Sequence, residues 1–107
     1  MDVPRIEFLW WAECPSWERA LGLLRDRLEA AGLDPDAVVT TEITSDEQAH
    51  GLLFPGSPTI RVNGADVQDP GNNPTGLSCR VYRSRDGRIS PLPDTADIDA
   101  ALARAGS

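Results

Sequence analysis

The chain has 107 residues, 40% hydrophobic and 25% charged, enough for one domain with a modest core, expected to span residues 1–107. Its net charge of -7, reached without a single lysine, repels phosphate backbones and leaves nucleic acid no basic stripe to bind. No apolar run approaches the roughly 20 residues of a membrane span, and "MDVPRIEF" lacks the apolar stretch of a signal peptide, so a cytoplasmic protein without membrane contact is expected.

In chain order, "RIEFLWW" (5–11) is short, aliphatic and aromatic, and predicts a buried strand. After Pro15 the period changes. Trp17, Leu21, Leu24, Leu28 and Ala31 recur at helical spacing, and Gly32 ends the helix. "AVVTTEI" (37–43) predicts a second strand. Ser45 with Gln48 is a capping box that opens a short helix, which "FPGSP" stops. "TIRVN" (59–63) and "CRVYR" (79–83) predict a third and a fourth strand, and a last helix opens near Asp94 or Thr95. Between the third and fourth strands lie fifteen residues rich in Gly, Pro and Asn, long for a hairpin connection. The order is β-α-β-α-β-β-α: an α/β domain with a parallel first pair, an antiparallel last pair, and helices on both faces of a four-stranded mixed sheet.

This order, with "ECPSW" directly after the first strand and "GSPTI" leading into the third, resembles the thioredoxin-like superfamily, in particular its small bacterial members. The resemblance covers essentially the whole chain. It implies thiol-disulfide chemistry at Cys14, a cis bond before Pro58, and docking of a small disulfide or an extended peptide backbone along Ser57, Pro58 and Thr59. No cofactor is implied.

The residues support a reactive thiol on physical grounds as well. Cys14 as N-cap and Pro15 as first helical residue would aim the opening N–H groups and the positive end of the helix dipole at the sulfur. Both favour thiolate, and the pKa is expected below the free value of about 8.5. Glu13, Glu18 and the nearby tryptophans oppose this. The alternative is a cysteine that merely packs, as free cysteines often do.

The second cysteine of a Cys-x-x-Cys motif is replaced by Trp17, so the local dithiol cycle is unavailable. Three outcomes stay open: a monothiol completed by an external thiol, resolution by Cys79, or a binding module or docking subunit that has kept the fold and lost the chemistry. Trp17 reads mainly as core, with Trp11 and Trp17 as walls of a cleft beside Cys14 in the functional reading. Cys79 is placed by register. If 79–83 pairs antiparallel with 59–63, Cys79 lies opposite Asn63, roughly 13 Å along the strand from Pro58. A disulfide needs Cα atoms within about 7 Å, so Cys79 is expected to be structural. The same distance weakens a two-sulfur metal clamp, and no metal site is expected. Arg61 and Arg80 are candidate carboxylate binders, and His50 reads as a solvated helical residue.

Overall fold

The first strand organises the fold of this computed structural model, which describes residues 3–106. Strand β1, Ile6–Trp10, pairs in parallel with β2, Val39–Glu42, and antiparallel with β3, Thr59–Val62. It is apolar at four of its five positions because both faces of the sheet are covered. On one face Ile6 and Phe8, with Ile60 and Val62 of β3, pack under helix α1, Trp17–Ala30, and helix α3, Thr95–Ala105. Ala20, Leu24 and Leu28 come from α1, and Ile98, Ala101 and Leu102 from α3. On the other face Leu9 meets Ile43, Phe54 and Ala49 of the short helix α2, Asp46–Gly51. The period-2 alternation of β1 thus feeds two separate cores.

The fourth strand differs from the sequence expectation. Asn63 and Gly64 have φ of 52° and 83°, the left-handed pair of a type I′ turn. The chain therefore reverses at once into β4, Ala65–Asp66, antiparallel to β3. The sheet order is β2-β1-β3-β4. Residues 79–83 are not in this sheet. Only β5, Tyr82–Arg83, is a strand there, and it pairs with β6, Ile89–Ser90, across the "RDG" turn as a separate ribbon. The register that put Cys79 opposite Asn63 falls with that correction.

The start of α1 is also shifted. The Cys14 N–H donates to the Trp11 carbonyl at 3.0 Å, closing a tight turn at the end of β1. Cys14 belongs to that turn and is not the N-cap. Ser16 takes the cap position, and its carbonyl accepts from Ala20 N–H at 3.0 Å. At α2 the capping residue is as expected: Ser45 Oγ accepts from Gln48 N–H at 3.1 Å. The reciprocal bond shifts by one residue, since Gln48 Oε1 accepts from Thr44 N–H at 2.9 Å. Among the described residues no helix is long and apolar enough to cross a membrane.

Candidate functional site

The Cys14 side chain is buried, with 2% of its surface exposed. A thiol that meets its substrate directly has to be reachable from solvent, and this one is covered. Its surroundings are polar, however. The sulfur lies 3.4 Å from Ser16 Oγ and 3.5 Å from the Ser57 carbonyl oxygen. Ser57 Oγ accepts from Trp11 N–H at 3.0 Å, which leaves its own proton to donate to Cys14.

Burial by itself pushes the Cys14 thiol up. Hydrogen bonds from the Ser16 hydroxyl, the Ser57 hydroxyl, the Ser16 N–H and the Cys79 thiol favour the anion and outweigh it. The net position is below the ordinary thiol value. The expected lowering therefore comes chiefly from hydroxyls, with a single backbone N–H just ahead of α1 contributing.

The Ser57–Pro58 peptide is cis, as the resemblance implied. The groups expected to receive a substrate backbone there are already taken. Ser57 N–H donates to Ser78 O, and Arg80 N–H donates to Ser57 O, both at 2.8 Å. The two bonds frame a parallel bridge between Ser57 and Cys79. The chain's own segment 78–80 thus lies along Ser57 where a substrate strand was expected. Ser57, Pro58 and Thr59 are all buried, and Thr59 donates its hydroxyl to Gly56 O at 2.7 Å. As a docking face for an outside backbone, these three residues are covered here.

Residues paired across a ladder put their side chains on one face of it. Cys79 therefore sits on the side of the Ser57 side chain, near enough to Cys14 for each thiol to shift the pKa of the other. Both cysteines are free thiols, Cys14 buried and Cys79 exposed. Burial raises the Cys79 pKa, as do the charge of Cys14 and the bond to it. The expectation that Cys79 is remote is overturned.

What holds segment 78–80 in place is a network that sequence reasoning missed. The Arg80 side chain is 1% exposed and clamps Asp66 of β4 through two bonds of 2.7 and 3.0 Å. It also donates to Gln68 O at 2.6 Å and to Thr59 Oγ1 at 3.3 Å. Its guanidinium stacks 4.3 Å from the Tyr82 ring centre, a cation–π contact. Tyr82 in turn donates its hydroxyl to Pro58 O, and burial pushes that phenol far up. Arg80 is therefore committed to the Asp66 carboxylate inside the protein and is not free to bind that of a substrate. Arg61 donates instead to Leu52 O and Leu53 O at the end of α2. An arginine reads as surface from sequence; the available signal was Asn63–Gly64, which returns Asp66 toward residue 80.

The tryptophans separate. Trp17 stacks on Trp10, ring centres 4.1 Å apart, and both pack on the α1/α3 core. Trp17 is thus core-packed, as its helical spacing predicts. Trp11 is half-buried and touches the site through its backbone. Pro15 is exposed beside Cys14. A cavity of about 320 Å³ opens at the opposite end of α1, lined by Pro4, Ala31, Leu33 and Leu102 among others, and shares no residue with the thiol site. His50 is exposed, with Nδ1 3.4 Å from Thr75 Oγ1. Comparison with known proteins returns no match to a protein-family model, a curated protein or a solved structure.

Proposed function

We propose that the chain is a thioredoxin-like protein that carries out thiol-disulfide exchange through Cys14. Support for the fold comes from the sheet order β2-β1-β3-β4, with β1 parallel to β2 and antiparallel to β3, and from helices on both faces. Cys14–Pro15 follows the first strand, and a cis Ser57–Pro58 leads into the third.

One observation carries the chemistry. Cys14 is buried, yet the Ser16 hydroxyl lies 3.4 Å from its sulfur, and hydrogen bonding by Ser16 and Ser57 outweighs burial and brings its pKa below the ordinary thiol value. A cysteine that only fills space needs an apolar pocket; this one sits where its anion is favoured. The thiolate is the form that attacks and leaves in disulfide exchange. The substrate class is a small disulfide or a cysteine-containing peptide.

A second reading, a thioredoxin-fold binding module or docking subunit without redox chemistry, draws its support from the 2% exposure of Cys14. The test is multiple-turnover reduction of hydroxyethyl disulfide with dithiothreitol as the reductant. Wild type is expected to turn over above the uncatalysed rate, and Cys14→Ser to turn over clearly more slowly than wild type. Equal turnover by the two proteins would remove Cys14 from the chemistry. Absence of turnover in wild type would favour the binding module.

A further inference from the structure

We propose that Cys79, not Cys14, meets the substrate first, and that Cys14 then closes a reversible Cys14–Cys79 disulfide. The inference rests on the thiol-disulfide reading above and assigns the order of attack within it.

Three geometric facts lead there. Ser57 is bracketed by both cysteines: Cys14 Sγ is 3.5 Å from its carbonyl oxygen, and Cys79 is its ladder partner. Exposure is divided unequally, with Cys79 exposed and Cys14 at 2%. Segment 78–80 is pinned by Ser57 on one side and by the buried Arg80–Asp66 pair on the other. A substrate disulfide must present a sulfur in line with the attacking thiolate, so access decides which thiol engages first. Only Cys79 offers that access.

Cys79 gives its proton to solvent, and the Cys79 sulfur attacks one sulfur of the substrate disulfide. The substrate S–S bond breaks, and the first thiol leaves with a proton from solvent. Cys14 then gives up its proton and attacks Cys79 Sγ; the mixed disulfide breaks, and the second thiol leaves protonated. Two protein thiols have lost two electrons and two protons, and one disulfide has become two thiols. A small thiol or dithiol reverses the sequence.

The decisive experiment is stoichiometric oxidation with hydroxyethyl disulfide under native conditions, followed by acid quench, blocking of free thiols and peptide mass mapping. Wild type is expected to lose two hydrogens, with no adduct, and to yield a peptide pair linked through Cys14 and Cys79. Cys14→Ser is expected to hold the mixed disulfide on Cys79. Cys79→Ser is expected to acquire its adduct on Cys14 at least about tenfold more slowly, since the sulfur must first be uncovered. The order is overturned if wild type carries only mixed disulfides, or if Cys79→Ser reacts at Cys14 as fast as Cys14→Ser reacts at Cys79. Either result leaves exchange through Cys14 standing if that residue is still needed for turnover. Turnover independent of Cys14 defeats both.

Discussion

Asp66→Ala is expected to destabilise the protein by about 3–5 kcal/mol, because it leaves the charge of Arg80 buried without its partner. The Arg80 side chain is 1% exposed and that of Asp66 is 10% exposed, and the two share bonds of 2.7 and 3.0 Å. The same change loosens segment 78–80, so the Cys79 thiol is expected to alkylate faster in the variant. Urea unfolding checks the first effect and labelling rates check the second. A double variant, Asp66→Ala with Arg80→Met, is expected to recover much of the loss, since an apolar replacement carries no charge to desolvate. A single-variant loss below about 1 kcal/mol, typical of exposed pairs, would show that the pair does not anchor the segment.

Gly56→Ala has a different cause and the next largest effect. Gly56 has φ of +123°, and a Cβ there would lie 3.1 Å from Arg80 Cβ, 3.2 Å from its N and 3.3 Å from its Cα. Two of those three atoms are backbone, and that N–H is bonded to Ser57 O. Neither side can yield without breaking the bridge that holds Cys79. Strain of this kind costs on the order of 1–3 kcal/mol. The Arg80 amide is expected to lose protection from hydrogen exchange, and the Cys14–Cys79 disulfide to form more slowly. Stability within about 0.5 kcal/mol of wild type, as for a neutral surface change, would contradict the tight approach.

These two positions also mark where sequence reading stops. Periodicity was sufficient for β1, α1, β3 and α3, because each buries a face whose spacing is fixed by its own geometry, and the Ser45–Gln48 pair marked α2. Trp17 was legible as core for the same reason, and it packs on Trp10. The Asn63–Gly64 turn was legible too, a strong hairpin signal lying between Val62 and Val67. Reading 79–83 as the fourth strand obscured it. That one misplacement moved Cys79 away from Cys14, although the chain returns Cys79 to the edge of Ser57. The return is a long-range event set by Arg80 and Asp66, fourteen positions apart, and by the absence of a side chain at Gly56. No local pattern reports any of the three. The serines around Cys14 were invisible in role: Ser16 reads as part of a helix start and Ser57 as part of a turn, while their hydroxyls meet at one sulfur only after folding.

Central to the proposed chemistry is a buried sulfur whose pKa is brought below the ordinary thiol value by hydrogen bonds from hydroxyls and an N–H. Ultraviolet thiolate absorbance against pH in Cys79→Ser, where Cys14 is the sole cysteine, tests that most directly. The expected apparent pKa lies below the free value of about 8.5, and adding Ser57→Ala is expected to raise it. The sign for stability follows. The folded state binds the Cys14 proton less tightly than the unfolded chain, so the thiolate's contribution is complete above the free value and is lost as pH falls through the folded one. A Cys14 pKa at or above the free value in the folded Cys79→Ser protein, unmoved by Ser57→Ala, would contradict the account.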